Sequence, residues 1–115
     1  MNGSEIDKIK RFLSEKRKIV IIPHKNPDGD AIGSSTALKY YLDNFNHNVE
    51  IISPNQFPEF LKWMDPCNVI NIFDEDEKCV QKIIDAELIF TLDFNNLVRI
   101  AGMKEYVEKS KAKII

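Results

Sequence analysis

Short apolar runs that alternate with helical patterns constrain the fold of this chain more than any other feature. The run from Ile19 to Ile22 is β-branched and has no polar alternation, as is typical of a central parallel strand covered on both faces. Four further segments are predicted strands: 49–52, 69–72, 88–92 and 112–115. Five other segments show helical spacing of apolar residues: 5–16, 31–45, 57–64, the surroundings of 80–84, and 97–109. This order predicts an α/β fold, a parallel, doubly wound, Rossmann-like sheet of about five strands with helices on both faces.

Charge and composition narrow the class of protein. The chain has 115 residues, enough for one domain, and 16 Lys and Arg against 18 Asp and Glu. This balance argues against duplex DNA as a partner, because proteins that bind it need an excess of Lys and Arg. We interpret the basic cluster from Lys16 to Lys18 as a solvated helix end. Cys67 and Cys79 form no C-x-x-C motif, and no long apolar run is present. We therefore expect a cytoplasmic protein with free thiols and no membrane segment.

Candidate metal ligands follow two of the predicted strands. His24, Asp28 and Asp30 lie in the loop after the first strand, and Asp93 is the first residue after the fourth. Ligands of open α/β sheets bind at the carboxyl ends of the strands, so these side chains are expected to converge. Imidazole and carboxylate together suit Mn²⁺, with Mg²⁺ as the second choice. Asp28 and Asp30 can point at two ions about 3.5–4 Å apart, as paired-metal hydrolases require.

The same loop also has a structural interpretation. Pro27, Asp28 and Gly29 form a common turn sequence, and a His after a strand is often only a hydrogen-bonding residue. Four converging ligands favour the metal site, because an uncompensated cluster of acids would be repulsive. Gly29 would let the backbone approach the ions, and Gly33 and Ser34 would open a helix whose free N–H groups bind phosphate. The acidic run 74–77, by contrast, is predicted to complement a helix dipole.

Two segments resemble motifs of the DHH phosphoesterase superfamily. The stretch from Ile19 to Ser35, which contains His-Lys-Asn-Pro-Asp-Gly-Asp, resembles the first motif, and the stretch from Leu88 to Asn96 is similar to the second. The Asp-Gly-Asp form with Gly-Ser behind it looks most like the branch of oligoribonucleases and 3′-phosphoadenosine 5′-phosphate phosphatases. Family II inorganic pyrophosphatases share His-x-Asn-Pro-Asp-x-Asp and are the nearest alternative.

The resemblance implies a set of roles for these residues. His24 and Asp28 would bind one Mn²⁺, Asp30 would bind a second, and Asp93 would bridge both ions. The three carboxylates would thereby serve catalysis, the hydrolysis of short oligoribonucleotides or of a phosphorylated adenosine nucleotide by activated water. Asn26 and Ser34 are candidates for orienting the phosphate ester.

The resemblance also implies that the rest of such an enzyme lies elsewhere. The Asp-His-His motif of the family, a later Asp ligand and a substrate-binding domain would follow Ile115, so residues 1–115 would be the N-terminal part of the DHH domain. We expect this chain alone to be nearly inactive and to be able to self-associate as a homodimer. A non-catalytic metal- or nucleotide-binding module is the alternative of a different class.

Overall fold

Five parallel strands form one sheet in the computed structural model, which describes residues 3–24, 27–92 and 103–115. The strands are β1 (Lys18–Pro23), β2 (Asn48–Ser53), β3 (Ile70–Ile72), β4 (Leu88–Leu92) and β5 (Lys113–Ile114). Their order across the sheet is β3-β2-β1-β4-β5, and every ladder is parallel. The predicted α/β class and the predicted parallel sheet are therefore confirmed.

Helices cover both faces of this sheet. They are α1 (Gly3–Phe12), α2 (Gly29–Asp43), a 3₁₀ helix (Glu59–Met64), α3 (Lys78–Asp85) and α4 (Lys104–Lys109). Side chains of a strand point alternately to its two faces, so the continuous apolar run of β1 serves two cores at once. Ile19 and Ile21 pack into the core beneath α2, whereas Val20 and Ile22 pack into the core beneath α3 and α4. The doubly wound arrangement follows directly from this run.

The chain changes direction across the sheet at β1. The connection through α2 leads from β1 to β2 on one side, and the connection through α3 leads back past β1 to β4 on the other side. The carboxyl ends of β1 and β4 lie on either side of this reversal, which is the topological switch point, and open α/β sheets bind ligands in a crevice outside such strand ends. The last pair of the β1–β4 ladder is Pro23 with Leu92.

Arg17 has a structural role that the sequence interpretation missed. Helix α1 ends at Phe12, so Arg17 is not part of a solvated helix end. Its Nε donates to the carbonyl oxygen of Phe12 at 2.8 Å, its guanidinium carbon lies 3.9 Å from the centre of the Phe12 ring, and Nη1 donates to Glu87 Oε2 at 3.1 Å. Arg17 thus ties α1, which buries no residue completely, to the start of β4.

The remaining boundaries differ from the prediction by a few residues. The acidic run precedes α3 as predicted, and Asp76 Oδ1 accepts the backbone N–H of Lys78 at 3.0 Å. The N-terminal part of the predicted helix 97–109 lies outside the described residues, and its last turns are α4. Across the described ranges, none of the helices has the length and apolar composition that crossing a membrane requires.

Candidate metal and phosphate site

His24 and Asp28 come together at the carboxyl end of β1. His24 directly follows Pro23, the last residue of the strand, and Asp28 directly precedes α2. The distance from His24 Nε2 to Asp28 Oδ1 is 3.9 Å. The side chain of His24 is 16% exposed and that of Asp28 is 63% exposed, so the pair lies at the surface of the crevice with one wall of protein behind it.

This distance is compatible with a shared divalent ion. Bonds from a metal to imidazole nitrogen and carboxylate oxygen are about 2.0–2.2 Å, so two atoms bound to one ion can be no more than about 4.2 Å apart. The observed 3.9 Å falls within that limit. A neutral imidazole and a hard carboxylate are also the donor types that suit Mn²⁺. The distance is compatible with the ligand roles predicted for His24 and Asp28, which stay predictions.

Asp28 also caps α2, and this second role moves the helix start. Its backbone is extended, and Oδ1 accepts the N–H of Ala31 at 2.9 Å, which is the geometry of an N-cap. The helix therefore begins at Gly29 rather than at the predicted residue 31. Its positive dipole end is directed at the His24–Asp28 pair, where it favours negative groups such as carboxylate and phosphate.

The predicted roles of Gly29 and of Gly33 with Ser34 are wrong in detail. Gly29 is helical without a positive φ, and a Cβ there would lie 3.8 Å from Met64 Sδ, so its bare side faces the 3₁₀ helix. The helical ladder begins where Ile32 N donates to Asp28 O at 3.0 Å. Gly33 and Ser34 follow that bond, so their N–H groups belong to the ladder and are not free to bind phosphate.

The other predicted side chains divide into two groups. Asp30 is exposed in the first turn of α2, and Ser34 is exposed in the next turn. Ser35, which the sequence interpretation did not single out, is fully buried, and its hydroxyl has no hydrogen-bond partner among the described residues. Asn26 and Asp93 lie outside the described residues.

Within the described ranges, no three side chains of His, Cys, Asp or Glu gather closely enough to hold an ion. Asp30 therefore does not complete a three-ligand cluster with His24 and Asp28. The strands bearing the two loops are nevertheless neighbours, since Pro23 and Leu92 are paired and directly precede His24 and Asp93 in the sequence.

The 3₁₀ helix forms the outer wall of the site. Leu61 and Met64 pack on the start of α2, with Leu61 Cδ2 at 3.9 Å from the Cβ position of Gly29 and Met64 Cε at 3.6 Å from that of Gly33. Since a 3₁₀ helix has three residues per turn, residues i and i+3 share a face. Leu61 and Met64 are such a pair, and they fix the element against α2.

Comparisons with known proteins agree with this architecture. Residues 18–115 match the model of the DHH family, N-terminal domain. The crystal structure of an exopolyphosphatase-related protein from Bacteroides fragilis is similar over 98% of this chain, with 40% sequence identity and a TM-score of 0.91. This chain covers 34% of that protein. The family match takes in the β1 loop, α2 and β4, the elements that carry the candidate ligands, and the chain therefore belongs to the DHH family as an N-terminal domain.

Proposed function

We propose that this chain is the metal-binding part of a phosphoesterase that hydrolyses short oligoribonucleotides or 3′-phosphoadenosine 5′-phosphate. The observation that carries the proposal is the His24–Asp28 pair, 3.9 Å apart, at the switch point of the sheet. A neutral nitrogen, a hard oxygen and a helix N-terminus in one crevice suit a divalent ion and a phosphate group together. Membership of the DHH family supports the same class of chemistry.

Each candidate residue has a proposed task. His24 and Asp28 hold one Mn²⁺, Asp30 holds a second, and Asp93 bridges the two. Bound ions of this kind activate water for attack on phosphorus and neutralise charge that develops on the phosphoryl oxygens. The protein side chains fix the positions of the ions, while the N-terminal end of α2 attracts the anionic ester. Asn26 and Ser34 remain candidates for orienting the substrate.

The bridging role of Asp93 can be tested on the chain itself. Asp93→Asn should weaken Mn²⁺ binding more than any other single ligand change, because a bridging carboxylate contacts both ions. Isothermal titration calorimetry of the wild type, Asp93→Asn and a control, Asp85→Asn, measures this. Asp85 is exposed at the end of α3, so its variant should bind Mn²⁺ like the wild type. Equal affinities of all three proteins would contradict the bridging role.

The substrate class needs an assay of hydrolysis. Because the chain spans 34% of its relative, we propose that further sequence, including an Asp-His-His motif, completes the site in the whole protein. Turnover of 3′-phosphoadenosine 5′-phosphate with Mn²⁺ should be high for the complete reading frame and nearly absent for these 115 residues. Comparable turnover from the short chain would mean that it completes its own site, for example across a homodimer.

A phosphoanhydride substrate is the second candidate function. The relative from Bacteroides fragilis is described as exopolyphosphatase-related, and family II pyrophosphatases share the first motif. The same metal chemistry would cleave either bond. Release of phosphate from pyrophosphate or polyphosphate, faster than from the nucleotide substrates, would decide for this alternative.

A further inference from the structure

An open groove of about 560 Å³ continues from the candidate metal site along the 3₁₀ helix. Its border includes Asp28 and Gly29 at the start of α2 and Phe57, Pro58 and Phe60 at the start of the 3₁₀ helix. Its volume lies within the range of about 300–1,000 Å³ that is usual for sites of small ligands. Asp28 is part of the border, so the groove opens directly beside the candidate ligand pair.

The outer face of the 3₁₀ helix carries two aromatic rings. Phe60 is 75% exposed and Trp63 is 74% exposed. They are three residues apart, so the 3₁₀ geometry places them on the same face, next to the pair of Leu61 and Met64 that packs on α2. Exposed aromatic rings leave apolar surface in water, so their burial against a partner would be favourable. Phe60 borders the groove and Trp63 shares its exposed face, so the two rings are suited to stack on a planar partner.

The charges around this face favour an uncharged planar group over a second phosphate. Lys62, which lies between the two rings in sequence, is paired with Glu59 at 2.9 Å. The amide of Gln56 is likewise engaged, with Glu75 through Nε2 at 3.0 Å. The N-terminal end of α2 beside Asp28 favours a phosphate, and the exposed ring of Phe60 favours a base.

We propose that this groove is a nucleobase subsite, in which the base of the substrate stacks on Phe60 and Trp63 while its phosphate is held beside Asp28. This inference rests on the proposed function and narrows it. It assigns the site to nucleotides and against pyrophosphate or polyphosphate, which have no base to stack.

Trp63 is the single tryptophan of the chain and lies three residues from Phe60, which borders the groove, so its fluorescence reports on binding beside Phe60. The titration uses adenosine 5′-monophosphate, adenosine and inorganic phosphate, each with Mg²⁺ because Mn²⁺ itself quenches emission. The nucleotide should quench emission at the lowest concentration, adenosine should quench at a higher concentration, and phosphate should not quench. Phe60→Ala should raise the half-saturating nucleotide concentration about fivefold or more, as expected for the loss of one base-stacking contact. Phe60 is exposed, so this change should leave the circular dichroism spectrum unaltered.

Phe45→Ala is the matched control, because Phe45 is an exposed aromatic residue that pairs with Tyr41 on α2 and does not border the groove. It should bind the nucleotide like the wild type. Equal half-saturation for the wild type and Phe60→Ala, or equal quenching by phosphate and nucleotide, would overturn the subsite and leave the phosphoesterase proposal intact. Quenching by adenosine that depends on Phe60, without any binding of Mn²⁺ in calorimetry, would support the subsite and count against the metal site. If Trp63 emission shifts with protein concentration in the absence of ligand, and this shift is lost in Phe60→Ala, a second copy of the chain occupies the groove. That result would overturn the proposal.

Discussion

Asp28 combines two roles that substitution can separate. It caps α2 through Oδ1, which accepts from Ala31 N at 2.9 Å, and the same oxygen lies 3.9 Å from His24 Nε2. Each carboxylate oxygen has two lone pairs, so Oδ1 can accept the N–H of Ala31 and still contact an ion. Asparagine caps a helix as well as aspartate but carries no charge, whereas alanine can do neither. Asp28→Asn should therefore affect only metal binding, and Asp28→Ala should affect both functions.

The size of each effect can be worked out. Loss of an N-cap costs about 1 kcal/mol. An unfolding entropy of about 2.1 cal/mol/K per residue gives about 0.24 kcal/mol/K for 115 residues, so Asp28→Ala should lower Tm by about 4 °C. Asp28→Asn loses only an exposed charge at the dipole, about 0.3 kcal/mol or roughly 1 °C. Mn²⁺ at ten times its Kd should stabilise the wild type by about 1.4 kcal/mol, or roughly 6 °C.

Thermal unfolding followed by circular dichroism, with EDTA and with Mn²⁺, measures both roles on the same samples. In EDTA, only the alanine variant should melt clearly below the wild type. In Mn²⁺, the increase in Tm should be absent or much smaller for both variants, since loss of even outer-shell partners of metal ligands costs 10–100-fold in affinity. An undiminished increase for Asp28→Asn would refute the ligand role. Equal Tm of the two variants in EDTA would refute the cap.

Three further predictions concern stability and reactivity. The pKa of Glu87 lies below its ordinary value of 4.5, chiefly because its carboxylate accepts a backbone N–H. The stability that the Glu87 carboxylate contributes is therefore present above pH 4.5 and is lost as the pH falls through the lowered pKa. The Tm difference between Glu87→Gln and the wild type should shrink in acid. A Tm difference that stays constant with pH would contradict this. Burial raises the pKa of the Cys79 thiol to about 11. A disulfide reagent at pH 8 should therefore label the exposed Cys67 rapidly and Cys79 only on unfolding. Rapid labelling of the folded Cys67→Ser variant would disprove this. Asn46 has a φ of 65°, in the left-handed region. Asn46→Ala should therefore lower the free energy of unfolding, measured by chemical denaturation, by about 1 kcal/mol, while Asn46→Gly should stay near the wild type. Equal stabilities of the two variants would show that the backbone is not strained.

The sequence predicts the fold well because one physical signal dominates it. The continuous β-branched run of β1 requires cover on both faces, and the alternation with helices leaves parallel crossovers as the solution. The order of the strands has no such local signal. Nothing in residues 18–23 states that β1 pairs with β4 as well as with β2, since that choice depends on how α3 packs across the opposite face.

The candidate site was predicted less completely, because single residues have more than one role. Asp28 was taken as a ligand or a turn residue and not as a helix cap, so the start of α2 was placed at residue 31 rather than at Gly29. The segment from Phe57 to Met64 was predicted as an ordinary short helix. Pro58 before it and Asp65-Pro66 after it leave six residues, which favours a short 3₁₀ helix. The spacing of three between Phe60 and Trp63 indicates a shared face but does not distinguish a 3₁₀ helix from an α-helix.

The central position of β1 has a consequence for the order in which the chain folds. β1, α2 and β2 form a continuous βαβ unit, but β1 also pairs with β4. The contact between Ile19 and Leu88 joins segments that are far apart in the sequence. Contacts between distant segments are slow to form because loop-closure entropy is lost before they stabilise the chain. We therefore expect the carboxyl edge between β1 and β4 to form late in folding, after the βαβ unit. An ion held by ligands from both loops should slow unfolding and leave the refolding rate unchanged.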